Sequence, residues 1–470
     1  MIIRRDDYLN RLIESKHTRS VKVVSGIRRC GKSFLLFQLF AGHLLESGTD
    51  PSHILKYELD LLENAALRDK AALYGDILSK IADDGMHYVL IDEVQLVDGF
   101  YEVLNSLLHR GNVDVYVTGS NSRFLSKDIV TEFRGRSTEI RVRPLSFREF
   151  VGAKGTDPRD CIDEYMDYGG MPELFQYQSD RQKAEYLAGL METVYLKDIV
   201  ERHGVRNVGE LGDLTDVMTS SIGSASSVSR ITDTMRTRCR AKISDKTVKK
   251  YIGYLCDAFL FEEARRYDIK GRRHIDSEKK YYIADTGLKN AREHFRQNEA
   301  SHIMENVVYN ELRCRGYDVD VGSLYATESE GGRRTRIGCE VDFVANRGNA
   351  RVYIQSAYRM DEGVQERERR PYLSIRDSFR KVIVTMDARG RRYDEDGIER
   401  IGLIDFLMDP DSVRASGCAG MWRGSPAAPT PFWTSYRPPL DRDWRGPSSR
   451  ITHTPPGASR VGYISMFGSS

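Results

Sequence analysis

The sequence predicts an α/β fold: a parallel sheet near the amino end, then a mainly helical region, then a smaller module of helices and strands. Three short runs rich in β-branched residues predict strands of the sheet, at 21–25 (VKVVS), 87–92 (HYVLID) and 113–120 (VDVYVTGS). Longer segments with helical spacing, such as 33–45 and 99–110, separate these runs. Strands that alternate with helices favour a parallel sheet with helices on both faces.

The composition is that of a globular protein with more than one domain. At 470 residues the chain is too long for a single hydrophobic core. A net charge of +2 gives no general argument for a nucleic-acid or membrane partner. The seven cysteines are scattered without a CxxC pair, so they indicate neither a disulfide framework nor a cysteine zinc site. No stretch approaches the roughly 18 apolar residues of a membrane span. We therefore expect a cytoplasmic protein.

The stretch VSGIRRCGKSFLL, residues 24–36, fits the phosphate-loop pattern G-x-x-x-x-G-K-[ST] at all four positions. The glycines let the backbone curl so that its N–H groups converge on phosphate oxygens, and the helix that follows adds its dipole. Lys32 can reach the β and γ phosphates of ATP, and the Ser33 hydroxyl can ligate Mg²⁺. The expected nucleotide contacts are Gly26, Ile27, Arg28, Arg29, Cys30, Gly31, Lys32, Ser33 and Phe34.

Two acidic residues follow the apolar part of HYVLIDEVQ. In an open parallel sheet, ligands bind at the carboxyl ends of the strands, which is where both motifs place their polar residues. Asp92 is expected to hold Mg²⁺, usually through water, and Glu93 to polarise the attacking water. Taken alone, the pair is equally consistent with an ordinary acidic turn.

The third strand also ends in polar residues, in VYVTGSNSRF. Ser120 or Asn121 is expected to sense the γ-phosphate or to position the water. Arg134 or Arg136, a little further on, is a candidate arginine finger, because charge develops on the γ-phosphoryl oxygens in the transition state. Such an arginine reaches its own nucleotide or that of a neighbouring subunit in a homo-oligomer. The alternative is an arginine that is solvated or packs against a lid.

These motifs carry a resemblance to a known family. GIRRCGKS, LIDEVQ, TGSNS and RGRSTEIRVRPLSFREF resemble the prokaryotic AAA-type P-loop ATPases whose C-terminal half is a domain of unknown function. YGGMPELF (168–175), YLKDIVERHGV (195–205) and KKYYIADTGLKNA (279–291) match the same family in the same order, over residues 1–407. The resemblance implies hydrolysis of ATP with Mg²⁺, but it does not imply the molecule on which the ATPase acts or its biological role.

The C-terminal half contains a pattern similar to the PD-(D/E)xK nuclease fold, in which carboxylates bind a divalent metal and a lysine helps to activate water. Glu305 and Glu311 lie on a predicted helix, and Asp342 lies on a predicted strand. Gln355 and Ala357 stand where the second carboxylate and the lysine belong. We therefore expect an inactive nuclease-like module. The alternative is that the strand carboxylates merely end a strand.

Before this module, a predicted helix and a basic hairpin have the outline of a winged helix. Val248, Tyr251, Leu255 and Phe259 share one face of the helix, and its cap is predicted at Asp245 or Thr247. Basic residues along such a unit suit contacts with DNA phosphates, although a solvated face is an equal alternative. They are Lys246, Lys249, Lys250, Lys270, Arg272, Arg273 and His274.

The chain is thus divided into four parts: a P-loop ATPase core (1–150), a helical and winged-helix region (151–295), a nuclease-like module (296–408) and a disordered proline- and tryptophan-containing tail (409–470). The first hypothesis is an ATPase that couples its nucleotide state to a module that engages DNA. The alternative is an ATP-dependent regulatory switch whose C-terminal half binds a protein partner.

Overall fold

The computed structural model describes residues 2–119, 133, 135–296, 299–330, 333–360, 362–387 and 390–414. Three predicted site residues, Ser120, Asn121 and Arg134, lie outside these ranges, as does almost all of the predicted tail.

Within the described residues, five parallel strands form the first sheet, in the order β2-β3-β4-β1-β5. This sheet confirms the predicted fold class. The strands are β1 (Val21–Ser25), β2 (Ile54–Glu58), β3 (His87–Asp92), β4 (Val113–Gly119) and β5 (Ser137–Arg141). Because β4 lies between β1 and β3, the loop after β1 and the acidic pair after β3 are brought to one edge of the sheet, with the end of β4 between them.

Helices and irregular turns connect and cover the strands. The helices before residue 155 are α1 (Asp6–Glu14), α2 (Lys32–Phe34), which continues as a π-helical segment (Leu35–Phe40) into α3 (Ala41–Glu46), α4 (Lys70–Lys80), α5 (Phe100–Leu108) and α6 (Phe147–Lys154). Those that follow are α7 (Pro158–Tyr168), α8 (Asp180–Gly189), a π-helical segment (Leu190–Leu196), α9 (Lys197–His203), α10 (Val208–Ser220), α11 (Val228–Arg238), α12 (Asp245–Asp257), α13 (Thr286–Arg292), α14 (Ala300–Cys314), α15 (Glu362–Leu373) and α16 (Leu403–Met408).

The two faces of the first sheet are buried against different helices, as expected for a parallel sheet. Along β3, Val89 and Ile91 join a core that includes Leu104 of α5. The alternating residues Tyr88 and Leu90 join the other core, which covers the helix after the phosphate loop and continues through helices α8 to α13. The helical region and this face of the sheet therefore share one hydrophobic core.

A second sheet of eight strands, counted over the described residues, has the order β12-β13-β11-β10-β9-β8-β6-β7. It is mixed, because β10, β11 and β13 run parallel while β8, β9 and β10 are antiparallel neighbours. The strands are β6 (Phe261–Asp268), β7 (Arg273–Ile283), β8 (Asp318–Glu330), β9 (Arg333–Arg347), β10 (Ala350–Ala357), β11 (Arg380–Thr385), β12 (Arg391–Tyr393) and β13 (Glu399–Gly402).

Helices α10, α11 and α12 pack against one another and are followed by the hairpin of β6 and β7. Ser226, between α10 and α11, forms an isolated β-bridge with Lys279 of β7. Both predicted caps of α12, Asp245 and Thr247, are wrong, since Ser244 caps the helix by accepting a hydrogen bond from the Thr247 amide. The hairpin also pairs with β8, so it is continuous with the second sheet.

A buried carboxylate, that of Glu262 on β6, joins the two sheets. It forms ion pairs with Arg141 at the end of β5, with Arg143 and with Arg313 of α14, at N···O distances of 2.7, 2.6 and 3.2 Å. Burial alone would raise the pKa of Glu262, but the surrounding guanidinium groups hold it below its ordinary value. The end of β5 beside the phosphate loop is thereby tied to the second sheet.

Two of the sequence motifs, YGGMPELF and KKYYIADTGLKNA, meet in the interior. The Gly170 amide donates to Asp285 Oδ2 at 2.7 Å, and the Leu288 amide donates to Asp285 Oδ1 at 3.3 Å as α13 begins. A side chain at Gly287 would place its Cβ 1.9 Å from the Tyr168 carbonyl oxygen, so only glycine permits this approach. Burial raises the pKa of Asp285 to about 6, against the opposing effect of these amide donors.

The raised pKa of Asp285 predicts a pH dependence of stability. The folded protein holds the proton more tightly than the unfolded chain, so this carboxyl makes the free energy of unfolding fall as pH rises from about 4 to about 6. The fall attributable to Asp285 is about 3 kcal/mol. Asp285→Asn should lack it, which denaturant unfolding of both proteins across this pH range will measure. Parallel profiles for the two proteins would contradict the assignment.

Candidate nucleotide site

The phosphate loop lies at the carboxyl edge of the first sheet, between β1 and α2. At Gly26 the backbone φ is +144°, and a Cβ would lie 2.1 Å from the carbonyl oxygen of Val142, so the loop requires glycine there. Gly31, with φ +94°, precedes α2 and directs the chain into the helix. The predicted residues from Gly26 to Phe34 therefore form a loop that leads into the amino end of α2.

The Asp92 carboxylate connects this loop to the neighbouring strands. The Ser33 hydroxyl donates to Asp92 Oδ2 at 2.7 Å, and the Thr118 hydroxyl donates to the other oxygen, Oδ1. Thr118 Oγ1 in turn accepts a hydrogen bond from the Glu93 amide at 3.0 Å. The structure thus brings together three predicted residues. Thr118 was missed, although it lies in the quoted stretch, because its role appears only when β4 is placed beside β3.

The surroundings of Asp92 are suited to a hard cation. Burial raises the pKa of Asp92, whereas the hydrogen bonds from Thr118 and Ser33 oppose that rise. The donor set of a carboxylate and an adjacent hydroxyl consists of hard oxygen ligands, which Mg²⁺ prefers. Ser33 and Asp92 therefore fit the metal that the family implies.

A cavity of about 830 Å³ opens in front of the loop and is large enough for a nucleotide. Lys32 lines it, and its ammonium group donates to the carbonyl oxygens of Gly26 and Ile27, both at 3.1 Å. To meet a phosphate, the Lys32 side chain must exchange these carbonyls for phosphate oxygens. The other residues that line the cavity include Arg28, Arg29, Ser33, Asp92, Glu93, Gln95, Pro172 and Glu173.

The two loop arginines, which the sequence left without a specific role, contact the helical region. Arg28 pairs with Asp198 of α9 at 2.7 Å, and Asp198 also pairs with Arg202 at 2.7 Å. Arg29 pairs with Glu173 of YGGMPELF at 2.8 Å. Two family motifs of unknown purpose therefore hold the phosphate loop directly.

Arg5 fixes the same loop from the amino end of the chain. Its guanidinium donates to the carbonyl oxygens of Cys30 at 3.0 Å and Arg143 at 2.7 Å, and it pairs with Glu149 at 2.9 Å. The side chain is buried and lines the cavity. Arg5 is not among the predicted site residues, because a basic residue before an amphipathic helix gives no signal of its distant partners.

The remaining predicted residues divide between the site and the rest of the sheet. Glu93 lines the cavity in a left-handed conformation, with φ +50°, and its carboxylate accepts a hydrogen bond from the side-chain amide of Gln95. Arg136 is exposed and precedes β5 at the end paired with Val21, opposite the edge that holds the loop. The structure therefore does not bring Arg136 to the nucleotide site of its own chain.

In the C-terminal half, two of the predicted carboxylates, Glu305 and Asp342, lie with Glu340 around a lysine of β7. Lys280 of β7 lies 3.0 Å from Glu305 Oε1, 2.8 Å from Glu340 Oε1 and 3.9 Å from Asp342 Oδ1. Burial alone would lower the pKa of Lys280, but these carboxylates raise it above its ordinary value. Glu311 does not join them; it pairs with Arg315 at 2.6 Å instead.

The basic residues of the proposed winged helix differ in their surroundings. Lys246, Lys249 and Lys250 are exposed on α12. In the hairpin, Lys270 donates to the Tyr325 carbonyl oxygen at 2.8 Å, and His274 lies 3.1 Å from a carboxylate oxygen of Asp320. Their partners are residues of β8.

Comparisons with known proteins identify two domains in the chain and two relatives of similar length. Residues 18–151 match the family model of an AAA domain, and residues 159–299 match a domain of unknown function, DUF8612. An uncharacterised protein of Haemophilus influenzae is 33% identical over 416 residues, 87% of this chain and 99% of its own. An uncharacterised protein of Methanocaldococcus jannaschii is 28% identical over 418 residues, 86% of this chain and 89% of its own.

The fold and the loop define a P-loop protein of the AAA class. The chain belongs to the family of AAA-type P-loop ATPases in which a domain of unknown function follows the AAA domain, which confirms the resemblance in the sequence.

Among solved structures, the chain is similar to a Walker-type ATPase of Pyrococcus abyssi, with a TM-score of 0.45 and 17% identity over 62% of this chain and 96% of that one. It is also similar to Cdc6p of Pyrobaculum aerophilum, with a TM-score of 0.29 and 10% identity over 66% of this chain and 95% of that one. Over the described residues, no helix is both long and apolar enough to cross a bilayer.

Replacing Thr118 tests the arrangement around Asp92. Thr118→Val keeps the shape of the side chain but removes the hydroxyl that orients Asp92 and accepts from the Glu93 amide. Groups that orient metal ligands typically contribute 10–100-fold, so the affinity for a Mg²⁺–nucleotide complex should fall about 10–100-fold. Titration with a fluorescent ATP analogue, with and without Mg²⁺, measures this change.

Thr138→Val, on the exposed part of β5, is the matched control and should bind as the wild type does. If Thr118→Val keeps its Mg²⁺-dependent affinity, the Thr118 hydroxyl does not position Asp92 for the metal.

Proposed function

We propose that the protein binds ATP at the phosphate loop and hydrolyses it with Mg²⁺. The observation that carries this proposal is the contact of Ser33 and Thr118 with the two oxygens of Asp92, beside Lys32 and in front of a cavity of about 830 Å³. These groups lie at the carboxyl edge of a parallel sheet, where such folds bind their ligands.

Each residue has a separate task in this proposal. Lys32 neutralises the β and γ phosphates, and the amides of the loop donate to phosphate oxygens. Ser33 and Asp92 hold Mg²⁺, which when bound offsets the charge of the triphosphate. Glu93 accepts a proton from the attacking water as general base, and the side-chain amide of Gln95 orients the Glu93 carboxylate.

The helical region is in a position to read the nucleotide state. Arg28 and Arg29 contact the loop's own phosphate cavity on one side and Asp198 and Glu173 on the other. A bound γ-phosphate competes with these carboxylates for the guanidinium groups, because both are anions. ATP and ADP would therefore bias the ion pairs differently, which is how we propose that hydrolysis moves the helical region.

The position of Arg136 favours action between subunits. An arginine at the edge opposite the phosphate loop cannot reach the nucleotide of its own chain without rearrangement of β5. If Arg136 is the arginine finger, it contacts the γ-phosphate of a second copy, and the protein works as a homo-oligomer. Arg134, Ser120 and Asn121 keep their predicted roles in this proposal.

Two substitutions separate nucleotide binding from hydrolysis. Lys32→Ala removes the cation that meets the phosphates and should weaken ATP binding severely. Glu93→Gln keeps the shape of the side chain but removes the base, so ATP should still bind while turnover falls on the order of 100-fold or more. Equilibrium binding of labelled ATP and release of phosphate are the measurements.

The controls are Lys80→Ala and Glu63→Gln, which make the same kinds of substitution at exposed positions. Normal turnover in Glu93→Gln would remove Glu93 as the base, and unchanged binding in Lys32→Ala would remove the phosphate site itself.

We further propose that the region of α10 to α12 engages DNA through the exposed lysines of α12. Helix order, the β-bridge at Ser226 and the following hairpin support a winged-helix reading. Because Lys270 and His274 contact β8, the exposed helix rather than these hairpin residues supplies the phosphate contacts. Charge contacts of this kind give affinity without sequence preference.

The nuclease-like module is proposed to be catalytically inactive. Lys280 contacts Glu305 and Glu340 and lies near Asp342, so the chain itself places a positive charge among these carboxylates. Gln355 accepts a hydrogen bond from the Asp342 amide at 3.2 Å and is a poor ligand for a hard cation. Burial and the nearby Glu305 raise the pKa of Asp342 well above its ordinary value, so this carboxyl favours its neutral form, which is a poor metal ligand.

One experiment tests both statements about DNA. Replacing Lys246, Lys249 and Lys250 by Ala should weaken binding to duplex DNA at least ~10-fold and should reduce its salt dependence. Lys242→Ala, an exposed lysine just before α12, is the control. The same samples with Mg²⁺ or Mn²⁺ should leave supercoiled DNA uncut.

Binding that is unaffected by salt or by the triple change would contradict DNA recognition by α12, and ATP turnover indifferent to DNA would favour the protein-partner alternative. Metal-dependent cutting abolished by Asp342→Ala would show an active nuclease.

A further inference from the structure

Two histidines and an aspartate lie together at the amino edge of the first sheet, the edge opposite the nucleotide site. His53 immediately precedes β2, and His87 is the first residue of β3. The parallel register pairs Ile54 with Tyr88, so the two histidines are side by side. Their ring centroids are 4.3 Å apart, and one nitrogen from each lies within 4.8 Å of a carboxylate oxygen of Asp83.

The protonation pattern of His87 leaves a nitrogen lone pair inside the protein. His87 is fully buried, and its Nδ1 lies 2.8 Å from the Gly85 carbonyl oxygen. A carbonyl oxygen can only accept, so Nδ1 carries the proton and Nε2 is left with a free lone pair. Nε2 is inaccessible to solvent and has no hydrogen-bond partner among the described residues. A backbone carbonyl on one imidazole nitrogen is also the usual way in which a metal-binding histidine is oriented.

The other two side chains are held by the same loop. His53 Nε2 lies 3.0 Å from Asp83 Oδ2, and Asp83 Oδ1 accepts a hydrogen bond from the Gly85 amide at 2.7 Å. Asn112 fixes the position of this loop, because it donates to the Asp83 carbonyl oxygen at 3.1 Å and accepts from the His87 amide at 2.8 Å. Backbone groups thus orient the Asp83 carboxylate and the His87 ring, and Asp83 in turn orients His53, before any ligand arrives.

We propose that His53, Asp83 and His87 form a binding site for a divalent transition metal, zinc foremost, with an open position for a water molecule. Two imidazole nitrogens and one carboxylate oxygen suit Zn²⁺ and related ions, whereas Mg²⁺ takes oxygen ligands. Zinc bonds of 2.0–2.2 Å require the ligand atoms to approach to about 3.3 Å. Asp83, 58% exposed, and His53, 19% exposed, have the freedom to close around the ion.

Binding at this site would join the start of β2 to the loop before β3. It would consume the one lone pair of His87 that the protein leaves unused and would replace the hydrogen bond of His53 by a metal ligand. The bound metal would therefore order the amino edge of the sheet without touching the phosphate loop, and its effect is on the stability of the core.

Titration of the full chain with Zn²⁺ in the absence of nucleotide, after alkylation of its thiols, tests the proposal. Calorimetry should give one ion per chain, Co²⁺ should give the visible absorption of a low-symmetry nitrogen and oxygen site, and zinc should raise the melting temperature. His53→Ala and Asp83→Asn should each weaken binding at least ~10-fold, since even groups that only orient a ligand contribute that much.

His109→Ala, an exposed histidine on the same domain, is the matched control and should bind zinc as the wild type does. Lys32→Ala should also bind zinc normally, which separates this site from the nucleotide site. His87→Gln is a second test of the buried ligand if the partly exposed positions prove ambiguous. Equal zinc affinity in the wild type, His53→Ala and Asp83→Asn, or no binding to the alkylated wild type, would overturn the proposal.

Discussion

The nucleotide site depends on the Asp92 carboxylate, whose two oxygens accept hydrogen bonds from hydroxyls on two different segments. Ser33 comes from the helix after the phosphate loop, and Thr118 comes from β4. Asp92 can meet both only because β4 lies between β1 and β3 in the sheet. The strand order and the site are therefore one constraint: a different order would separate the loop from the acid that completes it.

Charged groups from outside the sheet also hold the phosphate loop. They come from motifs that lie far from the loop in the sequence. Arg28 and Arg29 reach Asp198 and Glu173, while Arg5 reaches the carbonyl oxygen of Cys30. The core on this face of the sheet extends into the helical region, so the two parts cannot separate without exposing apolar surface. The movement proposed between nucleotide states would therefore exchange ion pairs around a shared core.

Local patterns predicted the elements that are buried on both faces, and non-local pairing explains what was missed. β1, β3 and β4 are buried along their whole length and are rich in apolar and β-branched residues, so their sequences predict them. β2 (ILKYE) and β5 (STEIR) lie at the sheet edges and carry exposed polar residues, so they lack that signal. Similarly, the loop lysine and Asp92 belong to contiguous motifs, whereas Lys280 meets Asp342 across 62 residues, a distance that no local pattern spans.

Three clusters of acidic or imidazole side chains differ in the groups that contact them. Around Asp342 the chain provides one internal cation, Lys280, which lies among three carboxylates. Around Asp92 the contacts to Ser33 and Thr118 are neutral hydroxyls, which orient the carboxylate but leave its charge for an ion. At His87 the contact is a backbone carbonyl, which orients the ring and frees a lone pair. An internal cation lowers the need for a bound one, so this difference supports the metal sites proposed at the second and third clusters and the inactivity proposed for the first.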